Sequence, residues 1–378
     1  MIDAQEEMRM ANGLKKYFPM IRTREEILDE ISGNEILLEM YRKWDEKQRR
    51  EFLDFCTGVK GVKILYDSFF KEIMDPDAAP ERLEEFLSLI LKQQVKILNV
   101  LPNDSTRIAE ESTLVIMDIV IELADHSIAN VEVQKLGYMF PGQRAACYSS
   151  DLLLRQYKRV KGEKGKAFSY REIKKVYTII LYEKSPIEFH QFPEQYIHCF
   201  KQTSDSGIEI DLLQEYIFLP LDIFCEILHN NGIRNRLEAW LTFLSADEPE
   251  MIEMLIDFYP QFQTYYREIY ELCRNMEKVM GMFSKELLEL DKNTVQYMID
   301  EMQNEIDAQK GKINEQEGKI SEQEGKISEQ EGKLSEQERL ISEQKGKLSE
   351  QEQMIADLRV QIEQMQKGIL PHPSGENA

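Results

Sequence analysis

A chain of 378 residues, 42% of them hydrophobic, is long enough to bury a sizeable core in one large domain or two. A net charge of −22 excludes a protein that coats nucleic acid with its whole surface, so any phosphate contact has to come from a local cluster of cations. Five scattered cysteines and five histidines without paired spacing argue against a disulfide framework and against zinc, and with no signal-like start and no apolar run of roughly 18 residues the expectation is a soluble, cytoplasmic chain with no membrane contact.

In chain order, residues 1–62 are polar and acidic with helical periodicity, as in EEILDEI and EILLEMYRKW, and predict two or three short helices without a chemical motif. Four β-branched, apolar stretches follow: VKILNV, STLVIMDIVIEL, SIANVEVQ and KVYTIILYE. They are bounded by Pro102, Asn103 and Asp104, by Ala124, Asp125 and His126, and by Ser185 and Pro186, which marks them as strands. Helices are predicted over Pro80 to Gln94 and Gly142 to Val160. The order helix, strand, strand, strand, helix, strand is that of an α/β protein with a mixed sheet. The stretch from about Ile208 to Asn293, with LDIF, AWLTFL and YELCRN, reads as a helical extension.

The C-terminal part is a tandem heptad. Ile313, Ile320, Ile327, Leu334, Ile341, Leu348, Ile355 and Ile362 recur every seventh residue within copies of ISEQEGK, and Ile299 and Ile306 extend the series backwards. A strict period of seven predicts a left-handed coiled coil. With these residues at position a, the d positions are Gln316, Gln323, Gln330, Gln337 and Gln344, and Gly318, Gly325, Gly332 and Gly346 fall at f, where each costs about 1 kcal/mol relative to Ala. Lys at g and Glu at e can pair between helices, for a few tenths of a kcal/mol per pair. Such a coil is weak and needs a partner helix. It serves either as a homo-oligomerisation arm or as a tether.

The chemistry is expected between the second and third strands. A turn centred near Asp125 makes an antiparallel hairpin in which paired residue numbers sum to about 250. Asp118 then stands opposite Glu132, and Gln134, two residues on, shares the face of Glu132. Two carboxylates with a backbone carbonyl, that of Val133, form a hard oxygen site suited to Mg2+ or Mn2+. Taken alone, the same residues also describe a locally paired buried aspartate and a solvent-facing strand glutamate. Asp118 lies inside the apolar run LVIMDIVI, however, where an unpaired charge is costly, so it requires a partner or a metal.

The helix that follows carries Arg144, Tyr148, Asp151 and Arg155 at helical spacing, which predicts a polar face able to meet a phosphate backbone, with Leu152, Leu153 and Leu154 on the buried side. Between Arg155 and Lys175 the chain carries Arg155, Lys158, Arg159, Lys161, Lys164, Lys166, Arg171, Lys174 and Lys175 against only Glu163 and Glu172. The run is either a DNA-facing segment, with Arg144, Tyr148, Arg155, Lys158, Arg159 and Lys161 as its contacts, or a solvated basic loop.

The stretches LYDSFFKEIMDPDAAPERLEEFLSLIL, MDIVIEL, NVEVQKLGYMFPGQRAACYSSDLLLRQYKRV and KKVYTIILYEKSP resemble the PD-(D/E)XK nuclease family transposases, which are related to recombination-promoting nucleases. The resemblance spans about residues 20 to 300. It implies a restriction-endonuclease-like core, a mixed β-sheet flanked by helices, with helical extensions and the heptad tail added. The segments expected are an N-terminal helical part (1–62), the nuclease core (63–200), a helical extension (201–297), the heptad coil (298–368) and a disordered end (369–378). The implied activity is Mg2+- or Mn2+-dependent endonucleolytic cleavage of DNA with low sequence specificity, in recombination or transposition. Asp118 and Glu132 match the two acidic positions, while Gln134 occupies the usual Lys position. A Gln can orient water but supplies no positive charge. Lys135 should point to the opposite face, which leaves Lys71 or Arg144 to supply that charge. A further metal-binding acid from the first core helix is implied, with Glu84 as its candidate; the alternative for Glu84 is a helix-surface carboxylate near the N-terminus, stabilised by the helix dipole. The competing expectation is a nuclease-like DNA-binding protein that cuts weakly or not at all and oligomerises through its tail.

Overall fold

A computed structural model describes residues 14–102, 118–135 and 141–368 of the chain. The expected strand residues 112–117 and the expected disordered end 369–378 lie outside the described residues. Two compact units are present, Met1–Glu301 and Met302–Ala378.

The first unit opens with three helices, α1 (Arg24–Gly33), α2 (Glu35–Lys43) and α3 (Glu46–Cys56). Their starts are written locally. Thr23 and Glu26 close a capping box on α1, Asn34 accepts from the first turn of α2, and Asp45 with Gln48 closes a second box on α3. Next come α4 (Asp67–Ile73) and α5 (Pro80–Leu91), with Pro80 in the first turn of α5, where its missing N–H costs nothing.

Among the described residues the sheet has six strands: β1 (Ile97–Val100), β2 (Ile119–Leu123), β3 (Ile128–Gln134), β4 (Val176–Tyr182), β5 (His198–Phe200) and β6 (Gln214–Pro220), in the spatial order β1-β2-β3-β4-β6-β5. β1, β2 and β3 pair antiparallel, β4 runs parallel to both β3 and β6, and β5 pairs antiparallel with β6. Between β3 and β4 the chain crosses over through α6 (Pro141–Lys164). After β6 follow α7 (Leu221–Asn231), α8 (Arg236–Ser245), α9 (Pro249–Phe258), α10 (Phe262–Cys273) and α11 (Met276–Gly368).

Strand β6 lies inside the stretch read as helical. The run YIFLP is too short for its period to distinguish a buried strand from the start of a helix. Pairing along its whole length with β4 decides the matter.

Alternation along the strands sorts the core into two layers. Ile119, Ile121, Ala129, Val131, Ile179, Leu181 and Leu219 face a large cluster that also takes in Leu14, Phe52, Phe69, Leu87, Trp240 and Phe283, so helices from before and after the sheet share one hydrophobic core. On the opposite face, Val120, Ile128 and Val176 pack against Tyr148 and Leu152 of α6, and Ile180, Tyr182 and Phe218 pack with Ala145 of α6 and Ile223 of α7.

The second unit is helical as far as Gly368. Its heptad residues Ile313, Ile320, Ile327, Leu334, Ile341, Leu348, Ile355 and Ile362 are each about half exposed. The repeat lysines pair within their own helix: Lys319, Lys326 and Lys333 each reach the glutamate four residues earlier, at 2.7, 2.6 and 2.6 Å. A Glu placed four residues before a Lys is the favourable order, so these charges satisfy each other without a second chain.

Candidate active site

The β2–β3 hairpin sets the geometry. His126 takes a left-handed conformation at φ 66°, Asp125 accepts from the Ser127 N–H, and Leu123 closes onto the Ser127 carbonyl at 2.8 Å. His is among the few non-glycine residues that accept this conformation readily. The resulting register pairs Ile119 with Val131 and Ile121 with Ala129, so paired numbers sum to 250 as expected. One step further Asp118 meets Glu132. The Asp118 N–H donates to Glu132 Oε1 at 3.1 Å, and the Val133 N–H donates to Asp118 Oδ2 at 2.8 Å. Each carboxylate is thus fixed by the backbone of the opposite strand.

Burial dominates the electrostatics of the pair. It pushes the Asp118 carboxyl above its usual range, against the pull of Lys71 and the Val133 N–H. Glu132 is pushed well above its range, by burial and then by Asp118, against Asn130, the Asp118 N–H and Arg144. Two converging carboxylates that are costly to ionise together form a site that gains from a cation.

The neighbours separate into those that supply charge and those that do not. Lys71 of α4 lies between Asp118, at 3.1 Å, and Asp67, at 2.6 Å. Burial disfavours its ammonium, but the two aspartates outweigh burial and hold it charged. Arg144 donates to the Tyr148 hydroxyl at 2.9 Å, with its guanidinium 5.5 Å from the centre of that ring, and its charge is felt at Glu132. Gln134 is 4% exposed, and neither atom of its amide has a hydrogen-bond partner among the described residues. Asn130, buried on the same face, favours the charged form of Glu132. Lys135 points to the other face as alternation predicts. Its ammonium sits 3.1 Å from Glu286 and 3.4 Å from Glu183, 4.5 Å from the centre of the Tyr66 ring.

Glu84, Arg155 and Arg159 stand in contacts other than those the sequence suggests. Glu84 does not join the pair: it accepts from the Ile97 N–H at 2.9 Å and binds Lys96, so it anchors the start of β1. No group of three or more His, Cys, Asp or Glu side chains able to hold a metal is present among the described residues. The face of α6 expected to meet DNA is divided: Arg144 is exposed and Arg155 half-buried, Tyr148 and Asp151 are buried, and Leu154, expected on the buried side, is exposed. The reason is the sheet beneath, whose α6-facing layer carries Glu122, Asn130, Glu132, Gln134 and Thr178 and so accepts the polar side of the helix. Arg155 and Arg159 are accordingly braces. Arg155 binds Asp151 at 2.7 Å and the Pro102 carbonyl at 2.8 Å, and Arg159 clamps Glu122 through two bonds of 3.0 Å. Lys158 and Lys161 remain exposed.

Sequence reasoning missed Asp67 and Asn130. Asp67 was legible as the residue one helical turn before Lys71, and Asn130 as the residue two before Glu132 on the same strand face.

The sequence profile of the PD-(D/E)XK nuclease family transposases matches residues 64–309, more than half of the chain. The chain belongs to this family. The match begins beyond the residue 20 expected from the resemblance and contains both acids, Lys71 and the helix bearing Arg144. No curated protein and no solved structure matches the chain. PD-(D/E)XK nucleases generally use divalent metal ions. The donor set of this member fits one: Asp118 and Glu132 offer hard oxygens, and Mg2+ is commonly held by one or two carboxylates with water completing its shell. No helix among the described residues is long and apolar enough to cross a membrane.

Proposed function

We propose that the protein is a DNA endonuclease dependent on Mg2+ or Mn2+, acting in recombination or transposition. The observation that carries this reading is the buried convergence of Asp118 and Glu132, each fixed by a backbone N–H of the facing strand. These two side chains would hold the ion. Bound there, a divalent cation supplies an activated water and a counter-charge for the phosphate. Gln134, whose amide has no partner among the described residues, orients the attacking water. Lys71, kept charged by Asp67 and Asp118, supplies the positive charge that Gln134 lacks. Lys158 and Lys161 hold the DNA backbone. Low sequence specificity follows from contacts directed at phosphate.

The test is plasmid nicking with Mg2+ or Mn2+ by wild type, Asp118→Ala and Glu132→Ala. Wild type is expected to nick and both variants to leave the plasmid closed. DNA left intact by wild type with either metal rejects the enzyme, and equal cutting by the variants rejects the site. The Gln in place of Lys favours a second reading, a nuclease-like DNA-binding protein with weak or no cutting. Binding of the plasmid without nicking is its signature.

We further propose that the heptad tail joins copies of the chain, because a stripe of half-exposed Ile and Leu gains from a partner helix. Deleting residues 305–378 is expected to lower the oligomer number in light scattering. A mass reduced by the deleted residues alone identifies a tether instead.

A further inference from the structure

Where α6 ends, the chain reverses through Gly165, at φ 53°, and two single 3-10 turns, Gly165–Ala167 and Tyr170–Glu172. The reversal brings three aromatic rings together at the surface. Tyr157 and Tyr170 lie parallel within 11°, their centroids 6.1 Å apart, and Phe168 meets both edge-on at 5.5 and 5.2 Å. Tyr170 is nonetheless 75% exposed. A ring braced by two others and still standing in water is preorganised to receive a flat apolar ligand.

The surroundings select which ligand. Lys161 donates to the Tyr157 hydroxyl at 2.7 Å, and Lys158, Lys166, Arg171 and Lys174 are exposed nearby along the chain. A cavity of about 570 Å3 opens beside this surface, its wall carrying Arg159, Lys164, Arg171 and Lys174 against Glu122, Glu163 and Glu172. In a chain of net charge −22 this is a local reversal of sign. Stacking surface and cations together match the two faces of a nucleotide, its base and its phosphate.

We propose that this platform binds an unpaired DNA strand, with a base stacked on Tyr170 and the backbone held by Lys158, Lys161 and Arg171. The inference rests on the endonuclease reading and adds to it the form of DNA preferred. A base in a duplex has both faces covered by its neighbours, so only an unpaired base can use an exposed ring.

The experiment is fluorescence anisotropy of the full chain, in EDTA to prevent cutting, with a labelled oligothymidine and with a duplex of equal length. Wild type is expected to prefer the single strand. Tyr170→Leu, which keeps an apolar side chain without a π-face, is expected to bind it at least about fivefold more weakly, the low end of what one base–ring stack contributes. Duplex binding should not change, Tyr170→Trp should retain the preference, and Lys161→Glu should weaken both ligands. Equal affinity of wild type for the two ligands, or single-strand binding by Tyr170→Leu equal to wild type, overturns the proposal. Plasmid nicking by wild type keeps the endonuclease reading standing in that event, whereas absence of both nicking and binding rejects the two together. Circular dichroism melts of Tyr170→Leu matching wild type exclude loss of fold as the cause.

Discussion

Replacing Glu132 with Gln is expected to abolish cleavage and to raise thermal stability in the absence of metal. Loss of activity should exceed a factor of about 100, since even outer-shell partners of metal ligands are worth about 10- to 100-fold. The gain in stability comes from burial. The native carboxyl of Glu132 titrates well above its unfolded value, because the site desolvates it and sets it against Asp118. Between the ordinary carboxylate range and that raised value the folded state binds more protons than the unfolded one, so stability falls as pH rises through this window and stays low above it. Gln keeps an amide oxygen for the Asp118 N–H without the charge. The melting temperature of Glu132→Gln should therefore exceed that of wild type at neutral pH and converge with it toward acid. A shift of about 2 °C or more is readable in a chain of this size. Mg2+ or Mn2+ should raise the wild-type melting temperature, increasingly as pH rises because both ligands must be deprotonated, and should leave the variant unmoved. A variant that melts below wild type at neutral pH would show that contacts outweigh desolvation and would refute the account.

Lys71→Ala is expected to lower the cleavage rate by about 100- to 1,000-fold, the typical cost of removing one group aimed at developing charge. Cation binding should remain, because Lys71 lies beside Asp118 without supplying a ligand atom, and metal-induced thermal stabilisation is the measurement that separates the two effects. Its ammonium stays charged because Asp67 and Asp118 flank it at 2.6 and 3.1 Å. Arg144→Ala should cost less, since Arg144 is engaged by the ring and hydroxyl of Tyr148. Wild-type rates in Lys71→Ala would leave Arg144 as the source of positive charge, and wild-type rates in both would remove this explanation of how a Gln replaces the usual Lys.

The layout of the site shows why some of it was legible and some was not. Asp125 and His126 fix a turn whose register follows by counting, so Asp118 opposite Glu132 is legible in the sequence. The inward turn of Tyr148 and Asp151 was not. Helical periodicity shows that Arg144, Tyr148, Asp151 and Arg155 share a face, but which way that face points depends on what the sheet offers it. Here the sheet offers polar side chains. Arg159 illustrates the same limit, because its partner Glu122 is 37 residues away in sequence.

The sequence by itself determined the first four strands, the hairpin register, the facing of Asp118 and Glu132 and the heptad period, because each rests on local alternation, turn chemistry or spacing. Only the tertiary structure decided that Gln214–Pro220 is a strand, that Glu84 anchors β1 and that Lys71 lies against Asp118. Each of these depends on a partner brought from elsewhere in the chain. Burial, which the fold alone sets, raises both carboxyls above their ordinary range.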